Sequence, residues 1–256
     1  MRRTDAFNRT ALLTGAAKLD EFTRKRIIIF GMGGVGSWTA ETLVRTGYTD
    51  ITIVDADRVS VSNINRQLPA TSSTVGEIKV EVMHRHLLDI NPDANITAIH
   101  GFYNSETADS YDLSLYDYVV DAIDSLTDKA LLILRATEAT AQNRRTILFS
   151  SMGAALKLDP TRIHVDEFWK VKGCPLAAAL RRKFKKSGNF PARKFKCVYS
   201  DELVPNHPEC LTETAESDGP VPLTFNKVST NGSLMHITAT FGITLASLII
   251  RHTLTD

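Results

Sequence analysis

The stretch RIIIFGMGGVGSWTAETL, residues 26–43, decides the fold of this chain. Its residues 27–30 are a short continuous apolar run, which is typical of a strand covered on both faces in a parallel sheet. A glycine-rich turn follows, and a segment with helical character then extends to about Thr46. A strand, a glycine turn and a helix in this order predict a nucleotide-binding βα unit.

Three glycines in this turn, Gly31, Gly33 and Gly36, satisfy the pattern G-x-G-x-x-G. The first permits the tight turn, the second lets the backbone approach a phosphate, and the third allows the helix to pack closely on the strand. The helix N-terminus favours the negative charge of the phosphate. Asp55 lies 19 residues beyond Gly36, where a carboxylate can accept hydrogen bonds from a ribose. The bound nucleotide can be either NAD or ATP at this point, because both contain that ribose.

Apolar runs alternate with helical segments as far as residue 160, behind a helical lead-in at residues 1–25. The predicted strands after the first are residues 50–57, 95–102, 116–124 and 145–153. Two further helices are predicted, one that begins at residue 75 and one that covers residues 127–142. This alternation predicts an α/β class with a Rossmann-like, mostly parallel sheet and helices on both faces.

The regular alternation ends near residue 160, which predicts a nucleotide-binding domain at residues 1–160. Residues 161–256 are expected to form an embellished C-terminal part that packs on the same domain. Within that part, residues 237–250 are apolar over 14 residues, fewer than the roughly 20 that a helix needs to cross a bilayer. They predict a buried core helix or strand and no membrane span.

Cysteine usage and the N-terminus predict a cytoplasmic protein. Cys174, Cys197 and Cys210 are far apart and form no CxxC pair, which argues against a disulfide framework and excludes a four-cysteine structural zinc site. The first residues are polar and lack the apolar core of a signal peptide. The formal net charge of +1 says little about partners.

Polar residues after the second predicted strand favour ATP over NAD. Asn63, Arg66 and Gln67 follow that strand, and Lys79 lies in the next helical segment. Two fixed cations beside a phosphate loop suit a reaction in which negative charge builds on a polyphosphate. Asp124 stands at the end of the fourth predicted strand, where a carboxylate suits Mg²⁺ held together with phosphates. The alternative interpretations are that Arg66 and Lys79 are surface charges and that Asp124 is a helix N-cap.

The segments GMGGVGSW, DADRVSVSNINRQ, VGEIKVEVM, INP and DAIDS resemble the adenylating domain of the ubiquitin-activating-like (ThiF/MoeB/HesA-type) superfamily. The resemblance covers nearly the whole chain. It implies that Arg66 and Lys79 contact the phosphates of ATP and that Asp124 holds Mg²⁺. Pattern and resemblance together place these residues at the ATP site: Gly31, Gly33, Gly34, Gly36, Asp55, Asp57, Asn63, Arg66, Gln67, Lys79 and Asp124.

The segment FNR near the start is similar to the N-terminal YNR or YSR of that superfamily, whose arginine reaches the ATP of the other subunit. The resemblance therefore implies that Arg9 completes the site of a second copy of the chain. It also implies a homodimer.

The later segments separate two branches of the superfamily. The two CxxC pairs that hold zinc in most sulfur-carrier adenylyltransferases are missing, whereas CPLAAALRRKFKK, KCVYSDEL and ITATFG are similar to bacterial tRNA threonylcarbamoyladenosine dehydratases. That resemblance implies ATP-dependent cyclisation of threonylcarbamoyladenosine beside the tRNA anticodon, through adenylation of its carboxylate. Two alternatives stay open: adenylation of a sulfur-carrier C-terminus, and nucleotide binding without catalysis. A sulfur-relay protein or cysteine desulfurase is a further candidate partner.

Residues 170–196 contain ten Lys and Arg and no Asp or Glu. Phe184, Phe190 and Phe195 are interleaved with these cations, and cations with exposed aromatics are typical of surfaces that bind phosphates and unpaired bases. The alternative is a charged helix whose phenylalanines face the core. The predicted tRNA contacts are Arg181, Arg182, Lys183, Lys185, Lys186, Arg193, Lys194 and Lys196.

Cys197 is the candidate thiol, because ubiquitin-activating relatives transfer their acyl group to a cysteine. The neighbouring Lys194 and Lys196 are expected to lower its pKa. The alternative is a packed thiol without chemistry, since an intramolecular cyclisation needs no thioester.

Overall fold

A computed structural model describes residues 3–143, 145–207 and 231–255 of the 256-residue chain. Cys210 lies outside these residues. The described strands are β1 (Arg26–Phe30), β2 (Asp50–Asp55), β3 (Asn95–His100), β4 (Tyr118–Asp121), β5 (Ile147–Ser151), β6 (Ile163–Glu167) and β7 (Lys196–Ser200). They form one sheet in the order β3-β2-β1-β4-β5-β7-β6.

Five of the six neighbouring strand pairs in this sheet are parallel, and only β6 and β7 run antiparallel. The helices that pack around the sheet are α1 (Arg3–Ala6), α2 (Asn8–Thr14), α3 (Ala16–Phe22), α4 (Gly36–Thr46), α5 (Lys79–Ile90), α6 (Leu126–Asn143), α7 (Pro175–Ser187) and α8 (Met235–Thr255). The predicted Rossmann-like α/β class is confirmed. Strands β6 and β7, from beyond residue 160, extend the same sheet at one edge.

β1 is buried on both faces, as its continuous apolar run predicts. Ile27 and Ile29 belong to one apolar cluster, which also contains residues of α4, α5 and α8. Ile28 and Phe30 belong to a second cluster on the other face, which contains residues of α6 and α7. The two clusters together bury the sheet, and its carboxyl edge is left for the loops that follow the strands.

The four strands predicted after β1 each end two or three residues earlier than the sequence predicts. At β2 and β4, an aspartate side chain closes a turn at the end of the strand. Asp55 accepts a hydrogen bond from the Asp57 backbone N–H at 2.8 Å, and Asp121 accepts one from the Ile123 N–H at 3.2 Å. Such turns take the place of the next ladder bond. Asp57 and Asp124 therefore lie in loops beyond the strands.

α5 begins at Lys79, four residues later than predicted. Gly76 has φ +89°, in the left-handed region that a right-handed helix cannot include. Its backbone N–H donates to the carbonyl of Val59 at 2.8 Å, so this segment is a turn held against the loop after β2.

The apolar segment at residues 237–250 lies within α8, which is confirmed as a core helix. Ile237, Phe241, Leu245 and Ile249 are fully buried in the cluster that also holds α4. By length and composition, α8 is the one helix of the described residues that could cross a membrane, but 56% of its apolar window is buried inside the protein. A buried core helix can have the same length and apolar composition as a membrane-spanning helix.

α8 packs closely on α4 because Gly242 has no side chain. A Cβ on Gly242 would lie 2.4 Å from the Val35 carbonyl oxygen and 2.8 Å from the Cβ of Trp38. The same contact brings the Thr39 hydroxyl within 3.1 Å of the Gly242 carbonyl, to which it donates.

Replacing Gly242 with alanine is therefore expected to lower the free energy of unfolding by about 1–3 kcal/mol, the usual cost of overpacking a rigid contact. Urea unfolding followed by circular dichroism measures it. Gly153→Ala is the matched control, because its new Cβ would come no closer than 3.7 Å to a neighbour. Equal stability of the two variants would contradict the close approach of α8 and α4.

Candidate active site

A cavity of about 1040 Å³ opens at the carboxyl edge of the sheet. Ligands of open α/β sheets bind at this edge, because the loops that follow parallel strands converge there. The loops after β1, β2, β3, β4 and β5 all contribute to its wall, together with the start of α7 and one residue of α8. The predicted site residues among its lining are Gly31, Gly33, Gly34, Asp55, Asp57, Arg66, Gln67, Lys79 and Asp124.

The glycine turn brings three backbone segments into contact. Gly31 has φ +92°, and a Cβ there would lie 2.7 Å from the carbonyl oxygen of Ala122 after β4. A Cβ on Gly36 would lie 1.8 Å from the Gly31 carbonyl oxygen. Gly36 therefore serves the packing of α4 on β1 and does not line the cavity, while Gly33 and Gly34 expose their backbone to it.

Asp55 ends β2 and faces the cavity. Its carboxylate accepts hydrogen bonds from the backbone N–H groups of Met32, at 2.6 Å, and Asp57, at 2.8 Å. Burial raises the pKa of this carboxyl, while the Lys79 ammonium and the two N–H groups act in the opposite direction. The carboxylate thus ties the end of β2 to the glycine turn and keeps acceptor capacity for a ligand hydroxyl.

Lys79 and Arg66 are the two cations beside the glycine turn. The Lys79 ammonium, 5% exposed, donates to the exposed Asp57 carboxylate at 2.8 Å. The Arg66 guanidinium donates to the Ser62 carbonyl at 2.8 Å and to Asn65 at 2.8 Å. Both side chains line the cavity.

Two buried polar atoms of the cavity wall have no hydrogen-bond partner within the described residues. They are the Gln67 Oε1 atom and the Tyr103 hydroxyl. Buried polar groups are almost always satisfied in native proteins, so unsatisfied ones in a cavity wall fit a polar ligand. A Cβ on Gly33 would approach the Gln67 amide at 3.7 Å, which places this amide directly across from the glycine turn.

Asp124 is exposed on the cavity wall in the loop after β4. A buried ion pair between α6 and the end of β4 holds that loop in place. The Lys129 ammonium of α6 donates to the Asp121 carboxylate and to the Ile123 carbonyl, both at 2.8 Å, and both charged side chains are fully buried. The Ser150 hydroxyl of β5 donates to the other Asp121 oxygen at 2.6 Å. Asp124 therefore projects from a rigid support.

Asn63 and Arg9 lie outside the cavity wall. Asn63 is buried in a short 3₁₀ helix, where its Oδ1 accepts from the Ser60 N–H at 3.2 Å in a capping box. Asn63 thus shapes the loop that carries Arg66, and its assignment to the ATP site stays a prediction. Arg9 is exposed on α2, and its assignment to a partner's site stays a prediction.

About half of the basic segment folds as α7, and two of its three phenylalanines face the core. Phe184 and Phe195 are buried in the cluster beneath α6 and α7, whereas Phe190 is 53% exposed. The expectation of three stacking aromatics is thus wrong for two of them. Phe184 is buried because α7 is amphipathic and buries its apolar side, and Phe195 is buried in the segment that leads into β7. Arg181 donates to the Phe168 carbonyl at 3.1 Å. Of the predicted tRNA contacts, the exposed ones are Arg182, Lys185, Lys186, Arg193, Lys194 and Lys196.

Cys197 is fully buried in β7, and burial raises the pKa of its thiol well above the ordinary value. The expected lowering of that pKa by Lys194 and Lys196 is wrong. A buried, protonated thiol is a poor nucleophile, so the structure favours the packed-thiol alternative. Cys174 lines the cavity at the N-cap of α7.

Sequence reasoning missed four residues of the site and its support. Tyr103 follows β3, and the rule that ligands gather at strand ends could have found it. Lys129 is spaced four residues from the buried Ile133, so a charge within the apolar stripe of a helix was its signal. Lys157 follows the last predicted strand and Thr238 lies in the apolar segment 237–250, and at neither position does the local pattern indicate that the side chain lines the cavity.

A search of the described residues finds no group of three His, Cys, Asp or Glu side chains that could hold a metal ion. Asp124 is one exposed carboxylate beside a phosphate-binding turn. This donor set fits Mg²⁺, which is usually held by one or two carboxylates plus the phosphates of a nucleotide.

The ThiF family model matches residues 7–255 of the chain. The tRNA threonylcarbamoyladenosine dehydratase of Escherichia coli K12 is 37% identical over 252 residues, covering 94% of this chain and 90% of the relative. The enzyme of the same name from Haemophilus influenzae is 36% identical over 235 residues, covering 91% and 87%. A crystal structure of the E. coli tRNA N6-threonylcarbamoyladenosine dehydratase in complex with ATP matches with a TM-score of 0.81 at 33% identity, covering 98% of this chain and 95% of that chain.

The buried ion pair beneath the cavity generates a stability prediction. Lys129→Met leaves the Asp121 carboxylate buried without its cation, which is expected to lower the free energy of unfolding by about 3–5 kcal/mol. Urea unfolding measures this loss. The double variant Lys129→Met/Asp121→Asn removes both charges and should recover part of it. A loss below about 1 kcal/mol in the single variant would contradict a fully buried pair.

Proposed function

The chain belongs to the ThiF family, and from this premise we propose that it uses ATP to dehydrate threonylcarbamoyladenosine in tRNA. Support comes from two relatives that carry the name of this activity and match about nine-tenths of the chain. The observation that carries the proposal is the cavity, in which a phosphate-binding glycine turn, two fixed cations and one exposed carboxylate lie together. An adenylating site uses these groups together, because negative charge builds on the polyphosphate of ATP as pyrophosphate leaves.

The first step activates a carboxylate, which is otherwise a poor acyl donor because it is anionic and its oxygen leaves badly. A threonyl carboxylate oxygen attacks the α-phosphorus of ATP, and the bond between the α-phosphorus and the bridging oxygen breaks. Pyrophosphate leaves, and an acyl-adenylate forms. Arg66 and Lys79 stabilise the charge that develops on the phosphates. Asp124 would hold Mg²⁺, which supplies further charge stabilisation to the phosphates when bound.

The second step closes a ring within the same nucleoside. The carbamoyl group attacks the activated carbonyl, loses a proton, and AMP leaves with the former carboxylate oxygen. The net change is the loss of one water from the nucleoside, with its oxygen retained in AMP. Because nucleophile and electrophile belong to one bound group, the step gains the advantage of an intramolecular reaction. No cysteine nucleophile is needed, in keeping with the burial of Cys197.

The exposed cations of α7 and the loop behind it supply a surface for the phosphates of tRNA. Lys185 and Lys186 are exposed in the last turn of α7, with Phe190 exposed shortly after them. Phosphate contacts of this kind set a salt-dependent affinity without reading the base sequence.

The proposal includes two assemblies and a location in the cytoplasm. The first is a homodimer in which the exposed Arg9 of one copy reaches the ATP of the other. The second is a complex with a sulfur-relay protein. Size-exclusion chromatography with light scattering, on the chain alone and with a cysteine desulfurase, tests both.

Nucleoside mass spectrometry tests the reaction itself. The chain, ATP and Mg²⁺ are incubated with tRNA that carries threonylcarbamoyladenosine, and we expect ATP-dependent loss of one water from that nucleoside. Asp124→Asn or Arg66→Ala should slow the loss by at least about 100-fold, because each removes stabilisation of the developing charge. Asp93→Asn, an exposed aspartate outside the cavity, is the control. If the modified nucleoside loses no water, while the C-terminal tail of a sulfur-carrier protein stimulates pyrophosphate exchange, the result would favour the sulfur-carrier alternative.

The double variant Lys185→Ala/Lys186→Ala tests the basic surface. Removing two phosphate contacts should weaken tRNA binding at low salt and reduce the slope of log affinity against log salt by about 1–2. Filter binding over a salt series measures both. Arg24→Ala/Arg251→Ala removes two exposed cations elsewhere and should leave the slope unchanged. Equal slopes for wild type and the lysine variant would contradict this assignment.

A further inference from the structure

The cavity extends beyond the residues assigned to ATP, along a wall that the activity described so far does not use. This β5 wall consists of residues 151–157, after β5, and residues 174–176, at the start of α7. β2 and β5 are three strand positions apart, which is about 14 Å at the usual strand spacing. The β5 wall therefore lies across the cavity from Asp55, on the far side of the glycine turn and of Asp124.

Lys157 is the buried cation of this wall. Three lysines of the described residues are at least nine-tenths buried, and two of them have a carboxylate at 2.8 Å: Lys79 has Asp57, and Lys129 has Asp121. Lys157 is 3% exposed and donates to a backbone carbonyl, that of Glu202. Within the described residues it forms no ion pair.

The carboxylate of Glu202 is engaged elsewhere. It accepts the backbone N–H groups of Leu158, at 2.8 Å, and Asp159, at 2.9 Å. Burial lowers the pKa of the Lys157 ammonium, and more distant acidic groups, Cys174 first among them, offset part of that effect. A buried charge without an opposite charge is costly, so this ammonium is suited to an anion that enters the cavity.

The start of α7 adds a second favourable feature to the same wall. α7 has 13 residues, Cys174 is its N-cap, and the side chain of Cys174 makes no capping hydrogen bond. The first backbone N–H groups of such a helix are free of intrahelical partners, and the helix dipole favours an anion there. Cys174, Pro175 and Leu176 all line the cavity beside Lys157.

The backbone fixes Lys157 in this position. Leu156 has φ +60°, an unusual value for a bulky residue and the only positive one among the described residues other than glycine. Its N–H donates to the Gly232 carbonyl and its carbonyl accepts from the Val204 N–H, both at 2.9 Å. The strained residue is thus pinned from two sides and directs the chain that carries Lys157 along the cavity wall.

We propose that Lys157, with the first turn of α7, binds an oxyanion of the RNA substrate. This inference rests on the proposed function. The glycine turn, Arg66 and Lys79 serve the phosphates of ATP from the β1 and β2 side, so the β5 wall is left for the second substrate. That substrate has two kinds of oxyanion, the threonyl carboxylate and the phosphates of the modified nucleotide.

The test compares Lys157→Gln with wild type on two anticodon stem-loop RNAs, one with threonylcarbamoyladenosine and one with plain adenosine. The glutamine amide removes the buried charge and keeps an N–H donor on the side of the Glu202 carbonyl, so we expect an unchanged or higher melting temperature. We also expect the KM for the modified RNA to rise about 10- to 100-fold, while the KM for ATP stays within twofold. Lys157→Arg should restore part of the loss, and Lys157→Met serves as a second charge-removing variant if the amide is not tolerated.

Binding of the two RNAs, measured as Kd, distinguishes the two sources of the oxyanion. If Lys157 binds the carboxylate, Lys157→Gln loses the preference for modified over plain RNA. If it binds a phosphate, the affinities for both RNAs fall by the same factor. Unchanged Kd and KM for modified RNA, or equal rises in KM for RNA and ATP, would overturn the inference. Failure of the wild type to convert RNA that it binds would instead contradict the proposed function, and the Kd comparison would still decide the role of Lys157.

Discussion

Parallel strand direction is the constraint on which the site depends. Because β2, β1, β4 and β5 run the same way, their carboxyl ends meet at one edge, and the loops after them share one cavity. The order of these strands in the sheet therefore sets the order of the functional groups along this edge. The carboxylate of Asp55 lies at the end of β2, the glycine turn after β1, Asp124 after β4 and Lys157 beyond β5. A ribose, a polyphosphate, a metal ion and a second substrate can thus be arranged in sequence across one sheet edge.

Close backbone contact and one buried ion pair make this edge rigid. Gly31 and Gly36 leave no space for a Cβ, so β1, α4 and the loop after β4 stay in contact. Lys129 then fixes that loop from within the protein through the Asp121 carboxylate and the Ile123 carbonyl. Preorganised groups stabilise developing charge without a cost of rearrangement at the moment of reaction. The charge of Lys129 is thus best understood as support for the loop that carries Asp124.

Local patterns predicted the parts of the fold that depend on short-range chemistry. The apolar run of β1 and the glycine spacing gave the βα unit, and the strand-end rule brought Asp55 and Asp124 to the same cavity. The ends of β2 and β4 were missed because they are set by the side chains of Asp55 and Asp121, which close turns that hydrophobicity does not record. Long-range contacts were missed for a different reason. The burial of Phe195 and the position of Lys157 both depend on segments that meet only in the folded chain.

The central claim is that this cavity transfers an adenylyl group to a carboxylate, and isotope tracing tests it most directly. Threonylcarbamoyladenosine labelled with ¹⁸O in its carboxylate is placed in the stem-loop RNA and allowed to react with unlabelled ATP. Attack on the α-phosphorus must leave one ¹⁸O atom in AMP for each nucleoside that is cyclised, and mass spectrometry of the AMP measures it. Label found in inorganic phosphate or in water, with none in AMP, would contradict adenylation and require another way of activating the carboxylate.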